Sequence, residues 1–176
     1  MKTLILCLTG SIALTVAICF AADEKKSSEP TEKPSLDSIK KLVGEWVEID
    51  ENGRATDRVV SAYRVTAGGS AVHEVVFPGS EHEMITIYYQ VGDDLMLTHY
   101  CVLGNQPRMR ARRDSKPGTI VFECIGGTNV KSENDSHMHR GTITWIGEDR
   151  IRSEWQQFEN GEIVHTAGSE LVRKRG

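Results

Sequence analysis

The sequence predicts an all-β fold, an up-and-down antiparallel barrel of about ten strands with one short helix before it. After Gly44, short segments with alternating apolar and polar residues recur about every ten positions. Turn residues such as Glu51-Asn52-Gly53 and Pro117-Gly118 separate them, so nearly all connections are short. An even-numbered meander can close, because its first and last strands run in opposite directions, and closure removes both edges. A two-sheet sandwich would need long crossovers, which disfavours it.

The order of elements begins with a helix over residues 36–43, for which Ser35 is the expected N-cap and Gly44 the end. Ten strands then follow. They are predicted over residues 45–50, 58–65, 70–77, 83–90, 95–101, 108–113, 119–125, 137–146, 151–158 and 163–173.

The first part of the chain is typical of an exported protein. Residues 1–22 carry one early charge, Lys2, then an apolar run, then Cys19-Phe20-Ala21 as a cleavage signal, which predicts a signal peptide. A membrane anchor is the alternative, although polar residues interrupt the run. Residues 23–34 contain no large apolar residue and are predicted to be a disordered linker. Residues 35–176 form the predicted barrel domain, in a secreted or periplasmic protein.

Composition excludes several function classes. The chain has 176 residues with 21 Lys and Arg against 25 Asp and Glu, a formal net charge of −4. This length suits one domain, and the mild acidity argues against nucleic acid as a partner. Once the signal is removed, no stable membrane insertion is expected. The chain has no nucleotide-binding loop, nucleophile elbow or paired general acid and base. The sequence therefore indicates no catalytic residues and leaves any cofactor unidentified.

The segment Leu42-Val43-Gly44-Glu45-Trp46 resembles the N-terminal signature of the lipocalin/calycin barrels, a short helix followed by Gly-x-Trp and a first strand. The resemblance implies that Trp46 plugs the closed end beneath a basic residue of the last strand, Arg173 or Arg175. In a closed ten-strand meander the first strand starts where the last one ends, which favours Arg173.

A second likeness is carried by Thr98-His99-Tyr100-Cys101, by Gly104-Asn105-Gln106-Pro107-Arg108-Met109 and by His137-Met138-His139. These segments are similar to uncharacterised secreted bacterial lipocalin-like proteins. The chain also resembles, more distantly, the haem-binding nitrobindins and the fatty-acid-binding barrels. It departs from the nitrobindins at Val47-Glu48-Ile49, where a glycine-rich strand would be expected, and this weakens a haem interpretation.

The resemblance implies a barrel that binds a small, partly apolar molecule without catalysis, and residue alternation predicts which side chains would line it. If Gly92-Asp93 is a two-residue turn, Thr86 pairs with His99, and the two side chains lie on the same face of the sheet. Polar groups would orient the ligand and apolar groups would surround it. The predicted lining residues are Met84, Thr86, Tyr88, Leu97, His99, Met109 and Phe122.

The alternative function is a metal-binding protein or metal-dependent enzyme at the rim opposite Trp46. His137 and His139 project from one strand face, and His99 would supply a third ligand. The other interpretation is that the histidines at this rim only form hydrogen bonds with the loop backbone. Cys101 and Cys124 are expected at the same rim but two strand intervals apart, about 9–10 Å in a regular sheet. They form a disulfide only if the rim distorts, and otherwise stay free thiols.

Overall fold

The computed structural model describes residues 33–175, so the predicted signal peptide and most of the predicted linker lie outside the described residues. Ten antiparallel strands pair in sequence order, and the last strand pairs with the first to close a barrel. The predicted fold class is therefore confirmed, and the architecture is consistent with a calycin-like barrel. Within the described residues, no helix has the length and apolar character needed to cross a membrane.

The elements lie close to their predicted bounds. They are α1 Leu36–Lys40, β1 Gly44–Ile49, β2 Ala55–Thr66, β3 Ala71–Val76, β4 Met84–Val91, β5 Asp94–Tyr100, β6 Gln106–Ala111, β7 Thr119–Thr128, β8 His137–Gly147, β9 Arg150–Glu159 and β10 Glu162–Arg173. The helix ends three residues before its predicted end, because the chain turns where the Leu42 amide donates to the Ile39 carbonyl at 2.9 Å. Strand β7 continues three residues past its predicted end.

The helix and Trp46 close one end of the barrel, called here the Trp46 end. Ile39, Leu42 and Trp46 are fully buried, and the Trp46 indole N–H donates to the Leu42 carbonyl at 2.7 Å. Strand β1 pairs with β10 so that Trp46 lies opposite Arg173. The Arg173 guanidinium carbon is 4.5 Å from the centre of the Trp46 ring, which is the pairing that the topology predicts.

The barrel interior is filled by side chains from both the helix and the strands. Tyr88 lies near its centre, with ring centroids 6.3 Å from Tyr63 and 5.7 Å from Phe122. Aliphatic residues such as Leu97 and Ile143 pack around these rings. The inner face is therefore mainly apolar, and its few polar groups stand out.

Candidate functional site

A row of polar side chains crosses the inner face of four neighbouring strands. Tyr63 of β2 pairs with Glu74 of β3, Glu74 pairs with Thr86 of β4, and Thr86 pairs with His99 of β5. The predicted pairing of Thr86 with His99 is confirmed. Because side chains alternate along each strand, directly paired residues point to the same side, and these four point into the barrel.

Glu74 is the acidic member of this row and is only 2% exposed. Its carboxylate accepts hydrogen bonds from the Ser61 hydroxyl at 2.8 Å and from the Tyr88 hydroxyl at 2.7 Å. Burial raises the pKa of Glu74, and the nearby hydroxyl groups of Tyr88, Tyr63, Ser61 and Thr86 oppose that rise. The sequence analysis missed Glu74, although its pairing with Thr86 across the β3–β4 hairpin was the signal that could have found it.

His99 ends the row with one nitrogen paired and one unpaired. Its Nδ1 lies 2.9 Å from the Thr86 Oγ1. In the tautomer whose Nδ1–H donates to the Thr86 oxygen, Nε2 carries a lone pair. This Nε2 is buried and has no hydrogen-bond partner among the described residues. Burial lowers the pKa of His99 to about 4, so the ring is neutral at neutral pH.

Trp155 of β9 reaches across the barrel and covers His99. The two rings stack with centroids 5.3 Å apart and an angle of 30° between their planes. On the neighbouring strand β8, Gly141 pairs with Trp155 and leaves space for the indole. An added Cβ at Gly141 would lie 2.9 Å from the indole ring. The predicted lining set did not include Trp155.

The structure brings the predicted lining residues together on the inner face. Six of them, Thr86, Tyr88, Leu97, His99, Met109 and Phe122, are buried, and Met84 is half-buried at the start of β4. The register of the β5–β6 pair places Leu97 opposite Met109. Together they form an apolar interior with the polar row along one side.

His137 and His139 lie together at the end of the barrel opposite Trp46. His137 Nε2 and His139 Nδ1 are 3.0 Å apart. The third possible ligand beside them is Cys124, and the expectation that His99 would complete this group is wrong. His99 is instead held by Thr86 and Trp155, while β8 bulges at His139 and directs its ring toward β7 and β9.

Cys101 and Cys124 are free thiols, so the possible disulfide is not formed. Cys101 lies just after β5 and Cys124 lies in β7, with β6 between them, and the rim does not distort enough to bring them together. Burial raises the pKa of both thiols, which disfavours the reactive thiolate.

A groove of about 700 Å³ runs beside β6 and β7 and is bordered by charged residues. Arg112 pairs there with Asp114 and Glu123, and Arg113 pairs with Asp94. Arg110 also lines the groove, so three arginines face three carboxylates and the formal charges of its lining balance. The interior and the histidine pair remain the candidate sites.

Comparisons of the chain with protein-family models, with curated proteins and with solved structures find no match.

Proposed function

We propose that this protein binds a small, partly apolar molecule inside its barrel and that it does so without catalysing a reaction. The unpaired Nε2 of His99 carries the proposal. A buried polar atom without a partner costs about 1–3 kcal/mol, and such atoms are uncommon in folded proteins. A ligand that donates a hydrogen bond to this nitrogen would remove the cost.

The chemistry of the site defines the ligand class. With His99 Nδ1–H donating to Thr86, Nε2 is an acceptor, which selects a ligand with a hydroxyl or N–H group. The surrounding apolar residues and the Trp155 indole favour an apolar or aromatic body. Trp155 is partly exposed and covers His99, so a ligand would displace this ring to reach Nε2.

Naphthol and naphthalene test the role of His99, because they differ by one hydroxyl group. Naphthol should bind about tenfold more tightly than naphthalene, as expected for one hydrogen bond worth about 1.4 kcal/mol. His99→Leu should abolish this difference. His165→Leu, which changes an exposed histidine of β10, is the matched control and should preserve it.

Equal affinity for the two probes in the parent protein, or a naphthol preference that survives His99→Leu, would contradict the proposal. Native mass spectrometry of protein purified from its own host is an independent measurement. We expect a bound small molecule that is lost from His99→Leu and kept by His165→Leu.

We also propose that the protein is exported to the periplasm or the medium. The support is the signal-peptide pattern of residues 1–22 and the resemblance to secreted lipocalin-like proteins. N-terminal sequencing of the protein from its host should begin at residue 22 or 23. A chain that keeps Met1 and fractionates with the cytoplasm would refute export.

A further inference from the structure

We propose that Cys124, His137 and His139 form a binding site for a thiophilic divalent transition-metal ion, with Zn²⁺ as the favoured occupant. One ligand atom from each residue lies within 4.8 Å of the other two. The three side chains come from neighbouring strands β7 and β8 at the end opposite Trp46. This site is separate from the His99 site of the proposed function and does not depend on it.

The distances suit a tetrahedral ion. With Zn–N bonds of 2.0–2.1 Å, two nitrogen ligands are separated by about 3.3 Å, close to the 3.0 Å between His137 Nε2 and His139 Nδ1. With a Zn–S bond near 2.3 Å, sulfur and nitrogen are separated by about 3.6 Å. The three ligand atoms now lie within 4.8 Å of one another, so metal binding brings sulfur and nitrogen closer by up to about 1.2 Å and leaves the fourth position open.

The histidine ligands are oriented by their surroundings. His137 Nδ1 donates to the Asp135 carbonyl at 2.7 Å, which leaves the lone pair of Nε2 for the metal. The His139 ring is stacked on Phe158, with centroids 4.0 Å apart and planes 14° from parallel. In the metal-free protein His139 Nδ1–H donates to His137 Nε2. On metal binding that proton moves to His139 Nε2, and both facing nitrogens become ligands.

The loop before β8 holds this arrangement in place. The Asp135 carboxylate accepts from the Lys131 and Ser132 amides, and so fixes the loop that supplies the Asp135 carbonyl. The next residue, Ser136, accepts from Asn105 through its carbonyl and from Gln157 through its hydroxyl, each at 2.7 Å. A site held by such supporting bonds loses little entropy when the ion binds.

The sulfur ligand also favours a metal ion. The Gly126 amide donates to Cys124 Sγ at 3.4 Å and positions the sulfur, and a coordinating metal ion deprotonates the thiol. Arg140 follows His139 in β8, and its guanidinium donates to Glu123 at 2.9 Å, so this nearby positive charge already has a carboxylate partner. A thiolate and two imidazoles are soft and borderline ligands, which select late transition metals over Ca²⁺ or Mg²⁺.

The test titrates Co²⁺ and Zn²⁺ into the full, reduced chain carrying Cys7→Ser and Cys19→Ser, so that Cys101 and Cys124 are its two thiols. We expect one Co²⁺ per chain with the intense near-ultraviolet absorption of a cobalt–thiolate bond, displaced by Zn²⁺. Cys124→Ser should abolish this band and weaken Zn²⁺ binding about tenfold or more. Cys101→Ser, at the same end of the barrel, should change neither.

His139→Gln is the second variant, because His139 is partly exposed and its loss threatens the fold less than the loss of buried His137. It should weaken Zn²⁺ binding about as much as Cys124→Ser, whereas His165→Gln should not. Circular dichroism without metal checks that each variant is folded. A cobalt–thiolate band that survives Cys124→Ser, or Zn²⁺ affinity unchanged in folded His139→Gln, would overturn the site. Naphthol binding to the same variants should be retained, which separates this result from the proposed function.

Discussion

The Arg173 guanidinium lies over the Trp46 ring and also ties the two ends of the domain together. It donates to the Val43 carbonyl, to the Lys41 carbonyl at 2.9 Å and to the Asp149 carboxylate at 2.8 Å. One side chain thus joins the end of the helix, the β8–β9 turn and the indole that plugs the barrel. These bonds need the planar five-donor fork of arginine, which lysine lacks.

Two substitutions test this closure by urea unfolding. Trp46→Ala should lower the free energy of unfolding by about 3–5 kcal/mol, the cost of removing a large buried aromatic side chain. Arg173→Lys should cost less, about 1–2 kcal/mol, because it keeps the charge over the ring but loses the bonds to the helix end. Equal stability of the parent and Arg173→Lys would show that the fork is unimportant.

Acidification should destabilise the protein through His99. The unfolded-state pKa of His99 is near 6.5 and its folded-state pKa is about 4, so the unfolded chain takes up the proton first as the pH falls. The stability that the neutral ring contributes is therefore lost between pH 6.5 and pH 4. From pH 7 to pH 5 this loss is about 2 kcal/mol. In His99→Gln, the fall in unfolding free energy over the same interval should be smaller by that amount.

Tyr88→Phe tests the hydroxyl donors around Glu74. The substitution removes a 2.7 Å bond to a buried carboxylate and leaves the ring packing against Phe122 in place. Leaving a buried carboxyl oxygen without this partner should cost about 1–3 kcal/mol. Tyr89→Phe removes a hydroxyl that makes only a 3.3 Å contact with Thr98, and as a control it should cost less than about 0.5 kcal/mol.

Gly141→Ala tests the space that Trp155 occupies. The added methyl group would lie 2.9 Å from the indole, so the ring must move away from His99, at a cost of about 1–3 kcal/mol. The same substitution at Gly147, on the same strand, meets no atom within 4 Å and should be nearly neutral. The tryptophan fluorescence spectrum should shift in Gly141→Ala and stay unchanged in Gly147→Ala. If Gly141→Ala keeps the parental spectrum and stability, the added methyl group does not displace Trp155 and the prediction is wrong.

The strand order and much of the inner face could be predicted from the sequence because both follow from local rules. The two-residue turn at Gly92-Asp93 sets the β4–β5 register, so the pairing of Thr86 with His99 follows by counting. Trp46 and Arg173 meet because a closed meander brings its ends together. None of these predictions required knowledge of a side-chain conformation.

The grouping of Cys124, His137 and His139 at the end opposite Trp46 was not predictable in the same way. A long loop separates β7 from β8, so counting could not set their register, and the bulge at His139 has no sequence signal that we recognised. For this reason the sequence predicts Cys124 only as a disulfide partner or free thiol, and His99 as the third ligand beside His137 and His139. Glu74 stands alone among valines in its own strand, and only the β3–β4 register, which places it opposite Thr86, brings the hydroxyl groups around it into view.

The pairing of β1 with β10 has a consequence for how the protein folds. All other strand pairs join neighbours in sequence, whereas Arg173 bonds to Val43 from 130 residues away. Bringing such distant segments together carries the largest loop-closure entropy of any pairing in the barrel. The hairpins can assemble one after another, but the edges of β1 and β10 stay open until the last strand is available. Loss of a few C-terminal residues would therefore leave two unpaired edges, with the attendant risk of aggregation, rather than a slightly shorter barrel.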